Sequence, residues 1–214
     1  MNENKLRELI CLFAKGLYDR GMAHGSAGNI SSRCDDGGLL VTPTNSSFGF
    51  LDPALLAKFD RDGNQLSGCK PTKEMSLHTA FYDTRGSTTG AVVHLHSHYS
   101  VALSMMPDVD PDDMLLPLTP YPIMKLGKVK LLPYFEPGDA AMGQAVKDLG
   151  GKHSAVILAN HGPVVAGKDI QSAVFAIEEL EAAARLSLET YGRDPILITP
   201  DEVVKLTATY DKSN

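Results

Sequence analysis

The chain has 214 residues, 43% of them hydrophobic and 21% charged, which fits one globular domain spanning 1–214 and excludes disordered, collagenous and coiled-coil classes. Twenty lysines and arginines against 26 aspartates and glutamates leave a formal charge of −6, and the basic residues are scattered, so no nucleic-acid partner is expected. The longest aliphatic run, Ala155 to Ala159, is far shorter than the ~20 residues of a membrane span, and the amino terminus shows no apolar signal block, so a cytoplasmic protein is expected.

From Asn4 to Asp19 the apolar residues Leu6, Leu9, Ile10, Phe13 and Leu17 step by three and four, predicting a helix that buries one face and stops near Gly21. Two loops of small polar residues, Gly25 to Asn29 and Pro43 to Ser47, flank extended runs such as Gly38 to Thr42. Asp60 to Asn64 reads as a hairpin turn, and Pro71 stands where a calcium loop needs its twelfth-position carboxylate. A helix is predicted from about Lys73 to Tyr82, then a buried strand from Ala91 to His96 and a short helix through Val101, Leu103 and Met105. Residues 107 to 138 hold seven of the thirteen prolines and read as an irregular connection. A helix from Asp139 to Leu149, a strand from Ala155 to Ala159, a long helix from about Asp169 to Tyr191 and a last helix from Pro200 complete a single α/β domain. Cys11, Cys34 and Cys69 are odd in number and far apart, which predicts reduced, partly buried thiols rather than disulfides or a Cys-x-x-Cys site.

The chemistry concentrates in histidine. Alternate residues of a strand share a face, so His94 and His96 point the same way and can converge on one ion. His161 follows the apolar run Ala155 to Ala159 and offers a third imidazole at a strand end. Three neutral histidines with an open fourth position form the pattern of a catalytic zinc, and hydrogen-bonded core histidines are the plain alternative. His98 would extend the same face if the strand continued, but Tyr99 to Val101 reads as helical. Glu74, near a helix start that Thr72 can cap, is either a carboxylate favoured by the helix dipole or the acid/base partner of the metal. His78, four residues on, either pairs with Glu74 as a ligand or packs the helix against its neighbours. The loops at 25–29 and 44–47 offer backbone amides and hydroxyls to an anion, while no Walker or Gly-x-Gly-x-x-Gly motif supports a nucleotide.

Five blocks carry a resemblance: Gly-Ser-Ala-Gly-Asn-Ile-Ser at 25–31, Thr-Pro-Thr at 42–44, Pro-Thr-Lys-Glu at 71–74, Val-Val-His-Leu-His-Ser at 92–97 and Leu-Ala-Asn-His-Gly-Pro at 158–163. In order and spacing they resemble the zinc-dependent class II aldolase/adducin family. The resemblance implies a three-layer α/β/α fold with a mixed, largely antiparallel central sheet, a homotetramer with sites at subunit contacts, and one zinc per subunit. It carries the metal onto His94, His96 and His161 and the catalytic carboxylate, also a metal contact, onto Glu74. Phosphate and substrate contacts fall on Asn29, Thr44, Asn45, Thr72 and Lys73, and Tyr121 matches a tyrosine that acts from a neighbouring subunit. Asn45 stands where the family's sugar-phosphate aldolases have glycine, and Thr72-Lys73-Glu74 where they have Ser-Ser-Glu. The extra cation suits a substrate with an extra anion. Within the family the chain looks most like the 3-oxo-tetronate 4-phosphate decarboxylases, lyases of four-carbon sugar-acid catabolism. The resemblance therefore implies conversion of that phosphorylated sugar acid to dihydroxyacetone phosphate and CO2. A sugar-phosphate aldolase or epimerase, a non-catalytic adducin-like module and a zinc hydrolase are the other readings.

Overall fold

In the computed structural model, which describes residues 1–210, the run Ala91–His94 forms strand β5, buried at every position and paired along both edges. On one side lie β1 (Asn29–Arg33), β2 (Leu39–Val41), β3 (Ala57–Phe59) and β4 (Gln65–Ser67), in that order outward. On the other side lie β8 (Gly162–Gly167), β7 (Ala155–Leu158) and β6 (Lys130–Leu132). Every adjacent pair is antiparallel except β6 with β7, so the sheet is mixed and largely antiparallel.

The alternation of side chains gives each face of the sheet its own core. Ile30, Val93, Ile157 and Val165 point to the face covered by α1 (Glu3–Asp19), α3 (His98–Leu103), α4 (Pro120–Leu126) and α6 (Ile170–Glu189). Val92, Val156, Leu158 and Val164 point to the other face, where Leu77 and Phe81 of α2 (Met75–Arg85) meet Met142 and Val146 of α5 (Ala141–Asp148). The result is the three-layer α/β/α arrangement. Helix α1 shows how the sequence builds it: Asn2 caps its first turn by accepting from the Asn4 amide, and Leu6, Ile10 and Leu17 are buried at helical spacing. Each such side chain contributes about 1.5–3 kcal/mol by leaving water. The final helix, α7 (Pro200–Tyr210), packs on α4.

Several local expectations change. Strand β5 stops at His94 rather than His96, because the Leu95 amide makes a last bond to the Pro163 carbonyl (3.1 Å) and the chain then turns into α3. Helix α2 begins at Met75, so Glu74 is its N-cap and not a first-turn residue, and its side chain makes no cap bond. Thr72 accepts from the Glu74 amide (3.2 Å) but precedes the helix start and closes the turn before it. The proline-rich stretch contains α4 and β6: Pro120 opens α4 where no amide donor is needed. Strand β8 escapes sequence reading because Gly162-Pro163 reads as a turn. The expected turn at 60–64 is present, with Asp60 accepting from the amides of Asp62 and Asn64 between β3 and β4. Cys69 is exposed rather than partly buried. Among the described residues, no helix is long and apolar enough to cross a membrane.

Candidate metal centre

His94 ends β5 on the face that looks toward α2, directly opposite Asn29 in the β1 ladder. Its Nδ1 lies 2.9 Å from the Pro163 carbonyl oxygen, which can only accept, so Nδ1 carries the proton and Nε2 is left with a bare lone pair. His96 reaches the same point from just beyond the strand end, and His161 comes from the turn between β7 and β8. The two Nε2 atoms of His94 and His96 are 3.1 Å apart, and those of His96 and His161 are 3.2 Å apart. Glu74, at the start of α2, places Oε1 3.3 Å from His161 Nε2 and Oε2 3.5 Å from His94 Nε2. Candidate ligand atoms of all four residues lie within 4.8 Å of one another.

This donor set fits a cation. Four ligands ~2.0–2.1 Å from one zinc stand about 3.3 Å apart along the edges of a tetrahedron, which is the spacing between neighbouring donors here. A lone pair on His94 Nε2 facing an ionised carboxylate in a buried site is unfavourable until a positive charge sits between them. The protonation states of His94, His96 and Glu74 suit such an ion. Burial pushes His94 below its ordinary value and His96 down to about 3, with neighbouring imidazoles adding to the effect on His96. Burial raises the Glu74 carboxyl, yet the His161 and His94 imidazoles and the Asn29 amide together hold it well below the usual carboxylate range. Neutral imidazoles and an ionised carboxylate are the ligand forms of a divalent metal.

A pocket opens from this group and is lined by Ser26, Gly28, Asn29, Pro43, Thr44 and Asn45 together with Thr72, Lys73, Glu74, His96, Pro137 and Gly138. It gathers Asn29, Thr44, Asn45, Thr72 and Lys73, all expected as substrate contacts, beside two of the metal-group residues. Gly28, with φ +91, is required because a Cβ there would stand 3.1 Å from the His94 carbonyl oxygen and 3.3 Å from Phe48. Asn45 has φ +57, the left-handed conformation that asparagine and glycine tolerate, so glycine and asparagine are interchangeable in backbone terms at this position. Tyr121 does not line the pocket and is exposed in the first turn of α4. His98 stands at the start of α3 beside His24, and His78 lies under Asn29, so neither belongs to the metal group. Sequence reasoning missed the pocket contributions of Pro137 and Gly138 and the buried hydroxyls of Ser31 and Tyr82 behind Asn29, while Ser26 lies in the expected anion-binding loop and His78 is buried in the helix packing that was one of its two readings. Strand alternation was the available signal for Ser31, since it shares a face with Asn29.

Residues 8–188 match the family described as the class II aldolase and adducin N-terminal domain. The 3-oxo-tetronate 4-phosphate decarboxylase of Escherichia coli K12 is 44% identical over 204 residues, covering 95% of this chain and 96% of the relative. The enzyme of the same name from Cupriavidus necator is 48% identical over 184 residues, covering 86% and 84%. The crystal structure of YgbL from Escherichia coli superposes with a TM-score of 0.92 at 42% identity, covering 96% of this chain and 99% of that one.

Proposed function

The chain belongs to the class II aldolase/adducin family, and from that premise we propose that it is a metal-dependent carboxy-lyase converting 3-oxo-tetronate 4-phosphate to dihydroxyacetone phosphate and CO2. One observation carries the reading: the three-histidine, one-carboxylate group opens onto a pocket that also holds a lysine, Lys73. A β-keto acid that is also phosphorylated needs a cation at its ketone and further positive or amide-rich partners for its two anionic ends.

Residues His94, His96, His161 and Glu74 hold the ion, which we take to be zinc from the three imidazoles and one carboxylate. Bound there, zinc supplies Lewis-acid stabilisation of the charge that develops on the ketone oxygen as the C1–C2 bond breaks. The electrons of that bond pass into an enediolate across C2 and C3, and a proton added at C2 completes dihydroxyacetone phosphate. Glu74, at the pocket wall, moves that proton. Lys73 pairs with the carboxylate or the phosphate, and Asn29, Thr44, Asn45 and Thr72 hold the phosphate end. Tyr121, exposed in one subunit, serves the site of a neighbouring subunit in a homotetramer. The chain acts as one domain in the cytoplasm, where its three free thiols stay reduced.

The decisive experiment offers both stereoisomers of 3-oxo-tetronate 4-phosphate to zinc-loaded protein and measures triose phosphate together with CO2. Fuculose 1-phosphate serves in a parallel arm. Release of an aldehyde from the sugar phosphate with no CO2 from either acid makes the protein an aldolase and overturns the reading.

A further inference from the structure

Behind the pocket wall runs a continuous chain of buried polar groups. Asn29 Nδ2 lies 2.7 Å from Glu74 Oε2, His78 Nε2 lies 2.5 Å from Asn29 Oδ1, and Ser31 Oγ lies 2.7 Å from His78 Nδ1 and 2.9 Å from the Tyr82 hydroxyl. Ser31 and His78 have no exposed surface, and Asn29 and Tyr82 are also buried. The direction of every bond follows from the end at Glu74. An ionised carboxylate only accepts, so Asn29 must turn its amide nitrogen toward it and its carbonyl toward His78. That carbonyl also only accepts, so His78 Nε2 carries the proton. His78 Nδ1 then accepts from the Ser31 hydroxyl, and Ser31 in turn accepts from Tyr82. Both ring nitrogens are therefore engaged, Nε2 against an oxygen that only accepts and Nδ1 against a hydroxyl that can donate.

We propose that His78 is a positioning residue for the metal centre, its Nε2–H locking the Asn29 amide so that the nitrogen rather than the oxygen faces Glu74 and the pocket. Asn29 has two amide hydrogens. One goes to Glu74, and the second is offered to an anionic substrate in the pocket that Asn29 lines. Without the lock the amide is free to rotate by a half turn, which would bring its oxygen against the carboxylate and present an acceptor to an anion. Donors aligned head to tail also polarise one another, strengthening the bond that fixes Glu74. The inference rests on Glu74 being the site carboxylate, and it is indifferent to which sugar phosphate is the substrate.

The first test reads the tautomer directly, by imidazole 15N NMR of the zinc-loaded, substrate-free protein. The expected result is a protonated nitrogen at Nε2 and a lone-pair nitrogen at Nδ1 of His78; the opposite tautomer overturns the proposal. The second compares His78→Leu with His78→Gln, whose side-chain amide can put an N–H where Nε2–H stands. With zinc content unchanged, His78→Leu should lower kcat about 100-fold, the scale of a small misplacement at a reacting centre. His78→Gln should recover most of that loss. Equal losses in both variants assign His78 to packing and overturn the proposal. Should His78→Leu fail to fold, the tautomer and the activity of His78→Gln still decide. Absence of CO2 release by the unmodified protein would sink the decarboxylase reading while leaving the tautomer result intact.

Discussion

The carboxylate of Glu181, buried on α6, receives the hydroxyl and backbone amide of Ser100 at 2.5 and 2.9 Å in the first turn of α3. It also accepts from the Ser97 hydroxyl and the Tyr99 amide, both at 2.8 Å, so one distant side chain satisfies first-turn amides that have no partner within a helix that starts two residues after His96. Replacing Glu181 with Ala leaves these donors buried and unpaired, each at a cost of ~1–3 kcal/mol, partly offset by water entering the gap. Glu181→Ala should therefore lose about 3 kcal/mol in urea unfolding and bind zinc more weakly, because His96 loses its fixed approach. A loss below ~1 kcal/mol would show that the contact is dispensable.

Removing one imidazole from the metal group tests the centre itself. His94→Ala deletes a buried candidate ligand whose Nδ1 is tied to Pro163 and leaves two imidazoles and one carboxylate around an enlarged gap that their own positions do not close. Zinc measured by atomic emission should fall from one per subunit toward zero, and decarboxylation should fall with it. Chelation of the unmodified protein should abolish turnover, and added zinc should restore it. Full activity after complete chelation would refute metal catalysis. Glu74→Gln separates binding from proton movement: zinc should be retained at reduced affinity while turnover drops by about 100-fold or more.

How much of this was legible in the residues depends on which contacts are local. His94 and His96 declare themselves because strand alternation is a short-range rule, and His161 because it follows an apolar run that can only be a buried strand. The eight-strand sheet was less readable. Strand β8 begins with Gly162-Pro163, a pair that signals a turn, yet it runs between β5 and β7, where Val164 and Val165 enter the cores on opposite faces of the sheet. Helix α4 hides among prolines for the complementary reason, since Pro120 and Pro122 sit in a first turn whose amides have no helical partners anyway. The role of His78 was invisible, because its partners Ser31 and Asn29 come from a strand 47 and 49 residues away. Glu74 is a candidate partner of the histidines from its place at a helix start beside Thr72, and the family resemblance decides between that reading and a plain helix-start carboxylate.

Gly162 gives the sharpest steric prediction. A Cβ at this position would stand 2.0 Å from the Leu95 carbonyl oxygen and 3.2 Å from the His96 Cα, so β8 could not pass the segment that carries the candidate ligands His94 and His96. Both obstacles are backbone and cannot rotate aside. Gly162→Ala should cost about 2–3 kcal/mol, as overpacking in a core does, and thermal unfolding should show it. Because the strain falls on Leu95 and His96, zinc affinity should decline in the same variant. A melting temperature and zinc content equal to those of the parent would mean that the strand shifts without cost.

Lys73 offers a way to discriminate between the chemistries open to this candidate metal centre. Its side chain is exposed at the pocket wall next to Glu74, and Gly138 lines the same wall. A substrate carrying a carboxylate as well as a phosphate gains a charge-assisted bond from that ammonium, worth about 1.5–3 kcal/mol. Lys73→Ser should accordingly raise KM for 3-oxo-tetronate 4-phosphate by ~10–100-fold, the equivalent of that energy. Zinc content and thermal stability should stay at parental values, since Lys73 is neither a metal ligand nor part of the buried relay behind Asn29. The rise should be smaller at high ionic strength in absolute terms, because salt already weakens the parental pair at an exposed position. Unchanged kcat and KM in Lys73→Ser would remove the physical reason for preferring a doubly anionic substrate, and a sugar phosphate without a carboxylate would then account for the pocket equally well.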